Sequence, residues 1–237
     1  MSVDRFSTPL YGIGEAAAYL DVPPSTLATW AYGYERLRPG AGVVVGSPVI
    51  TASRPRHRHE AAVPFIGLAE AYALAAFRQA GVPMQRIRPA IDALHRELGL
   101  QYALASQRLF TDGAEILYDY AQHADGTPEG ESARELVVVR NNQRVFADVV
   151  ARYLRRVDFA ADGYAQLIHL PQYRVAEVTV DPDHAFGRPR FTRGGAGLDD
   201  VIDLFRAGEP VDVVAAEFGL SRGEVEDALR VNTRTAA

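Results

Sequence analysis

Two residue types on which many proteins depend are missing from this chain of 237 residues. It contains no cysteine, which excludes disulfide frameworks, thiolate zinc sites and cysteine nucleophiles. All 25 of its Lys and Arg positions are arginine. A phosphate-binding loop that ends in Gly-Lys-Ser/Thr and a Schiff-base lysine are therefore excluded as well. These absences remove several large classes of enzyme.

Long hydrophobic runs are also missing. No stretch approaches the roughly 18 consecutive apolar residues that a membrane-spanning helix needs. The first residues lack the basic segment followed by an apolar one that an export signal requires. We therefore expect a soluble, cytoplasmic protein without membrane contact.

The two ends of the chain differ in charge, although the net charge is only −5. Residues 1–103 carry 10 arginines against 8 acidic residues, whereas residues 104–237 carry 15 arginines against 22. A slightly basic front suits a protein whose front contacts phosphate groups. The excess of +2 is far smaller than the basic footprint of a strong DNA-binding domain, so charge alone is weak evidence.

The first segment with a clear pattern predicts two short helices around a tight turn. Ala17 and Leu20 lie three residues apart on the inner face of the first helix, and Leu27 and Trp30 do the same on the second. Short polar residues at the start of a helix allow close approach to phosphates and base edges. The residues left outward on the second helix are Ser25, Thr26, Ala28, Thr29 and Tyr32.

The following segment predicts a wing and a basic arm. Apolar residues at 43–45 and 49–51 predict a two-strand hairpin, and the arm follows with Arg54, Arg56 and Arg58. The arm is interpreted as contacting phosphates, with a solvated loop as the alternative. A metal site on its histidines is disfavoured because the interleaved arginines repel a cation. Two amphipathic helices follow, one ending before Gly81 and one before Gly99.

The rest of the chain predicts a mixed α/β region and then three helices. Asp112-Gly113 is a strong hairpin signal. In the tail, Ser221 and Glu224 form a capping-box pattern that opens the last helix. Strands are predicted at 107–111, 114–120, 136–139, 143–146, 164–170 and 175–180, and helices across 147–157, 198–205 and 211–218 and from 222 onward. The predicted fold class is α+β, with a C-terminal trihelical unit that is helix-turn-helix-like.

Residues 11–98 resemble the winged helix-turn-helix of the MerR superfamily. The resemblance rests on the run Gly14-Glu-Ala-Ala-x-Tyr-Leu-x-Val-x-x-Ser-Thr-Leu-x-x-Trp30, on Leu68-x-x-x-Tyr72 and on Gly81-Val-Pro-Met-Gln-Arg-Ile87. One departure is Ala28, because family members usually carry arginine there. The resemblance implies that DNA is contacted by Ser25, Thr26, Thr29, Tyr32, Arg54, Arg56 and Arg58.

Residues 180–231 resemble a small domain that commonly forms the antitoxin of bacterial toxin–antitoxin pairs. The matching motifs are Gly187-Arg-Pro-Arg-Phe191 and Gly208-Glu-Pro-Val-Asp-Val-Val-Ala215. A MerR-like front joined to this tail looks like a larger VapB-type antitoxin, whose partner is a PIN-domain ribonuclease. The predicted domains are a winged helix-turn-helix at 1–103, a mixed α/β middle at 104–179 and an antitoxin-type domain at 180–237.

Three arginines of the tail, Arg188, Arg190 and Arg193, are candidates for binding the toxin. If the partner is a nuclease with a carboxylate-lined metal site, an inserted guanidinium would neutralise those carboxylates and displace the metal. The alternative is that these arginines solvate a loop or pair with Asp181 and Asp183. The sequence leaves both interpretations open.

Two hypotheses of function remain. The first is a homodimeric antitoxin that neutralises a PIN-domain ribonuclease and represses its own operon by binding operator DNA. The second is a MerR-like one-component regulator whose middle region senses a small effector. An enzyme is disfavoured because lysine and cysteine are absent and the histidines lie at neither triad nor metal spacing. No cofactor or metal is expected.

Overall fold

The computed structural model describes residues 3–38, 42–57, 60–99, 101–111, 126–127, 130, 153 and 155–235. Its front part is a helix-turn-helix followed by a hairpin and two longer helices. The elements are β1 (Pro9–Tyr11), α1 (Ile13–Tyr19), α2 (Pro24–Tyr32), β2 (Tyr34–Arg38), β3 (Gly42–Gly46), β4 (Val63–Pro64), α3 (Phe65–Gln79), α4 (Met84–Leu98) and α5 (Gln107–Thr111).

The rear part is a four-stranded antiparallel sheet followed by three helices. The strands pair in chain order, and the second-to-third pairing places Ile168 opposite Val180. The elements are β5 (Val157–Phe159), β6 (Ala165–His169), β7 (Val178–Val180), β8 (Arg190–Phe191), α6 (Leu198–Arg206), α7 (Val211–Phe218) and α8 (Arg222–Thr235). Helices and strands together confirm the α+β class. The boundaries between the three predicted domains stay a prediction.

Helix α3 lies at the centre of the front part. Twelve of its fifteen residues are buried, which is the pattern of a helix surrounded by protein on all sides. Gly67 permits a close approach, because a Cβ there would lie 2.0 Å from the carbonyl oxygen of Thr51. Glu70, one turn further along, is 3% exposed, and its Oε2 accepts a hydrogen bond of 2.6 Å from the amide of Thr51. The helix is thereby fixed to the segment that follows the wing.

The tail helices follow the predicted pattern closely. The side chain of Glu224 accepts a hydrogen bond of 2.7 Å from the amide of Ser221, and the hydroxyl of Ser221 accepts one of 3.3 Å from the amide of Glu224. This is the predicted capping box. Val201, Val214 and Val225 are fully buried where the three helices meet.

One strand of the middle region was predicted wrongly. Residues 107–111 form helix α5. Ser106 explains the difference, because its hydroxyl accepts a hydrogen bond of 3.2 Å from the amide of Arg108 and so caps the start of a helix. The turn at 112–113 and the predictions for 114–120, 136–146 and 147–152 lie outside the described residues.

Residue 157 was predicted to end a helix, but it lies in a strand. Val157 begins β5 and pairs with Ile168. The strand predicted at 164–170 is confirmed as β6, and the one at 175–180 is confirmed in its second half as β7. The first half remains irregular because the amides of Arg174, Val175 and Ala176 are bonded to a side chain of α8 instead of to a neighbouring strand.

Candidate nucleic-acid interface

Helices α1 and α2 form the predicted helix-turn-helix. The turn closes through a hydrogen bond of 3.0 Å from the amide of Val22 to the carbonyl of Ala17, and Asp21 adopts a left-handed conformation with φ 54°. Leu20 and Leu27 are fully buried between the two helices. This packing leaves the opposite face of α2 available to solvent.

The predicted contact residues of α2 differ in accessibility. Ser25 is exposed, whereas Thr26 and Thr29 are half-buried. The hydroxyl of Thr29 donates a hydrogen bond of 2.8 Å to the carbonyl of Ser25, one turn earlier. Ala28, which stands where an arginine was expected from the family pattern, is half-buried. Ser25 is therefore the most accessible of the predicted polar contacts on this helix.

Tyr32, at the end of α2, lies within electrostatic range of the basic arm. Burial raises the pKa of its hydroxyl, and the positive charge of Arg54 acts in the opposite direction. Arg54 thus lies near enough to Tyr32 for its charge to affect the pKa of the tyrosine hydroxyl. The Tyr32 hydroxyl is buried without a hydrogen-bond partner among the described residues. The fold thus places these two predicted site residues within range of a charge interaction.

Hydrogen bonds within the basic arm join its described residues. Arg54 and Arg56 are exposed, and the carboxylate of Glu60 accepts hydrogen bonds from the amides of Arg56 at 2.6 Å and His57 at 3.2 Å. Arg58 lies outside the described residues. The arm therefore exposes the guanidinium groups of Arg54 and Arg56 to solvent. The carboxylate of Glu60 stabilises the backbone at Arg56 and His57.

The wing is formed by other strands than those predicted. Val43–Val45 belong to β3, which pairs with β2, and residues 49–51 are not a strand. The amides of Val49 and Ile50 both donate to the carbonyl of Trp30, at 2.8 and 3.3 Å. Because these amides already donate to the end of α2, they do not pair with a neighbouring strand.

Two arginines of the wing and one of α4 were missed by sequence reasoning. Arg36 and Arg38 occupy alternate positions of β2. Their spacing of two in the sequence could have indicated that both lie on one face of a strand. Arg88 of α4 lies 5.5 Å above the ring of Tyr34 and donates to the carbonyl of Ser47. It anchors the base of the wing, a role that only the tertiary contact reveals.

The three tail arginines contact different elements. Arg188 is exposed and lines a cavity of 610 Å³ with Tyr11 and Glu15 of the front part. Arg190 is half-buried on β8. Arg193 is 66% exposed at its side chain, and its Nη1 lies 3.6 Å from Oε2 of Glu224.

Asp181, one of the two acidic partners suggested for these arginines, is engaged elsewhere. Oδ2 of Asp181 lies 2.6 Å from Nδ1 of His184, and its Oδ1 accepts from the amide of Asp183 at 2.8 Å. No ion pair joins Asp181 or Asp183 to an arginine within the part of the chain that the structure describes. Arg188 is exposed and makes no ion pair with the residues that the structure describes.

The residues that the structure describes lack two features. They contain no helix long and apolar enough to cross a membrane. They also contain no group of three histidine or acidic side chains that could hold a metal ion.

Two family models match the chain at its two ends. The model described as "Putative DNA-binding HTH domain" matches residues 9–91, which run from β1 into α4. The model described as "Protein of unknown function (DUF433)" matches residues 178–230, which run from β7 into α8. The finer resemblance of the front to the MerR superfamily stays a prediction.

Full-length relatives come from Mycobacterium tuberculosis strain H37Rv. The chain is 47% identical to the "Putative antitoxin VapB45", over 95% of this chain and 94% of that protein. It is 26% identical to the "Uncharacterized protein Rv2308", over 93% of this chain and 88% of that one. The crystal structure of Rv2018 from M. tuberculosis matches with a TM-score of 0.78 at 44% identity, covering 95% of this chain and 99% of that one.

The similarity extends over both ends and the region between them. An identity of 47% over 95% of the chain is far above what a shared fold alone requires. The protein, with a DNA-binding helix-turn-helix domain at its front and a DUF433 domain at its rear, therefore belongs to the family of VapB45.

Proposed function

We propose that this protein is the antitoxin of a type II toxin–antitoxin pair, that it neutralises a PIN-domain ribonuclease, and that it represses its own operon. The observation that carries the proposal is the full-length identity of 47% to a relative named as an antitoxin. The helix-turn-helix match at 9–91 supports DNA binding. Together these comparisons point to a regulatory protein and not to an enzyme.

The proposed DNA contact places the start of α2 in the major groove and the basic arm on the phosphate backbone. The exposure of Ser25 at the start of the helix supports the first contact. The exposure of Arg54 and Arg56 supports the second, because a guanidinium must be accessible to contact a phosphate. With half-buried Ala28 in place of an arginine, one copy would bind weakly. A homodimer on two half-sites supplies the missing affinity.

Replacing Arg54 and Arg56 together by alanine is expected to weaken binding of DNA from upstream of the protein's own gene by about tenfold or more. Each lost phosphate contact also removes about 0.9 from the slope of log K against log salt. Fluorescence anisotropy over a salt series measures both quantities. The matched control is R206A/R222A, which removes two exposed arginines of the tail. If the slope of R54A/R56A equals that of the wild type, the arm does not contact phosphates.

The proposed toxin contact uses Arg188, Arg190 and Arg193. The exposure of Arg188 and Arg193 supports it, since a guanidinium that enters a carboxylate-lined metal site must be accessible. The position of Arg188 beside α1 would let a bound toxin touch the DNA-binding domain. DNA affinity and toxin binding would then be linked.

Purification of the protein from its native organism is expected to recover a stoichiometric small ribonuclease. Co-expression of that ribonuclease with the R188A/R193A variant should restore growth arrest that the wild-type protein prevents. The R206A/R222A control should still protect the cells. Repeated recovery of the protein without a ribonuclease, under conditions where its operator is bound, would contradict the antitoxin function and favour a one-component regulator.

A further inference from the structure

The wing formed by β2 and β3 carries an apolar face that is open to solvent. Leu37, Val43 and Val45 are 80%, 62% and 64% exposed. Three of the seven large apolar side chains that are exposed among the described residues therefore lie on this one hairpin. Single exposed apolar residues are ordinary, whereas a contiguous group of them marks an interaction surface.

The register of the hairpin makes the group contiguous. Leu37 is paired directly with Val43, and Glu35 is paired directly with Val45. Directly paired residues project to the same face of a sheet, and so do residues two apart on one strand. Leu37 is thus the direct neighbour of Val43 and the diagonal neighbour of Val45. The three side chains form one apolar patch, and the exposed Glu35 borders it at one end.

The wing has no layer of protein over this patch within the part of the chain that the structure describes. Strands β2 and β3 pair with each other and with no other described strand. The base of the wing is held to α4, where Arg88 lies over the ring of Tyr34 and donates to the carbonyl of Ser47. A hairpin of two strands is only marginally stable in water. A partner that covered the apolar patch would therefore stabilise the wing.

The patch is suited to a second copy of this chain. A two-fold interface brings the same surface of both subunits together, and Leu37, Val43 and Val45 carry no charge that would repel its own copy. With the two wings antiparallel, the two Glu35 carboxylates lie at opposite ends of the patch. The same carboxylate disfavours a phosphate backbone on this face, since nucleic acid is bound through positive charge.

We propose that two copies of the protein associate on DNA through this patch, with Leu37, Val43 and Val45 of one copy packed against the same residues of the other. The inference rests on the DNA binding and the homodimer of the proposed function, and it names the interface. Strand β2 begins at Tyr34, two residues after α2 ends at Tyr32. A contact between wings therefore fixes the distance between two α2 helices, which binding to two half-sites requires.

The patch is too small to hold a dimer by itself. Stable interfaces bury about 1,200–2,000 Å² in total, and the side chains of two leucines and four valines supply less. Free copies should therefore be largely monomeric and should pair when DNA holds them side by side. Binding to two half-sites should accordingly be cooperative.

Fluorescence anisotropy tests the interface with DNA from upstream of the protein's own gene and with the same DNA shortened to one half-site. Threonine keeps the preference for a strand but removes apolar surface. The variant L37T/V43T/V45T should lose cooperativity and bind the longer DNA about tenfold more weakly, with wild-type affinity for the half-site. The control V175T/V213T changes two exposed valines of the rear part and should match the wild type on both fragments. Circular dichroism checks that each variant is folded.

Cross-linking tests the contact directly, because the chain contains no cysteine. The variant V43C should form a covalent dimer with a short bis-maleimide when the longer DNA is present. The matched control V213C places the cysteine at an exposed position of α7 and should stay monomeric.

Four outcomes would overturn the inference. They are non-cooperative binding by the wild type, unchanged cooperativity in the threonine variant, cross-linking of V43C no greater than that of V213C, and a weaker affinity of the threonine variant for the half-site. The last outcome would show that the patch contacts DNA. In all four cases the DNA-binding function would stand. If the wild type bound neither fragment, that function would fail and the inference with it.

Discussion

Replacing Asp227 by alanine is expected to lower the free energy of unfolding by about 3–5 kcal/mol. The side chain is 1% exposed, and its Oδ2 accepts hydrogen bonds from the amides of Arg174, Val175 and Ala176 at 2.7, 2.6 and 2.9 Å. Alanine would leave three amides without their acceptor; Ala176 is buried, and an unsatisfied buried amide costs about 1–3 kcal/mol, whereas Arg174 and Val175 are exposed and cost less. Urea denaturation followed by circular dichroism measures the loss.

The folded state favours the charged carboxylate form of Asp227. Burial disfavours the charge, but the three amides and the guanidinium of Arg230 outweigh burial and lower the pKa of Asp227. A D227N variant should accordingly lie between wild type and D227A, since its amide oxygen accepts but its charge is lost. The control is E226A on the same helix, where an exposed pair with Arg222 is removed and the loss should stay below about 1 kcal/mol. A loss in D227A no larger than in E226A would show that Asp227 does not hold the loop.

The stability of the protein is expected to fall as pH rises from 5 to 8, by about 3 kcal/mol through Glu70 alone. Burial raises the pKa of Glu70 to about 7, against the opposing effect of its hydrogen bonds from Thr51. The folded state therefore binds a proton that the unfolded chain releases at its lower pKa. This contribution is complete below the unfolded pKa of about 4.3 and is lost as pH rises through about 7.

An E70Q variant separates this effect from other titrations. Glutamine stays neutral and keeps an oxygen that can accept from the amide of Thr51, so E70Q should match wild type near pH 5 and exceed it at pH 8. Thermal and urea unfolding across this pH range provide the measurement. The control E217Q changes an exposed carboxyl of α7 and should keep the wild-type slope. Parallel curves for E70Q and wild type would show that Glu70 does not titrate in this range.

Glu70 also shows why a buried ionisable group escaped sequence reasoning. Glu70 stands in a run of alanine, leucine and aromatic residues. That run does not indicate whether the glutamate side chain is exposed to solvent or bonded to Thr51. Arg88 was missed for the same reason, since its partners Tyr34 and Ser47 are distant in the sequence. The outward position of Ser25 follows from helix spacing and the arginines of the arm from composition, whereas their role in DNA contact is implied by the family resemblance and stays a prediction.

The sequence by itself determined the helix-turn-helix of α1 and α2, the end of α4 before Gly99, and the three tail helices with their capping box. These features depend on periodicity and on bonds within a few residues, which the order of amino acids specifies directly. Tertiary structure alone decided that residues 107–111 form a helix and which strand pairs with β3. Short apolar segments fit a helix or a strand equally well, so contacts with distant residues select between them.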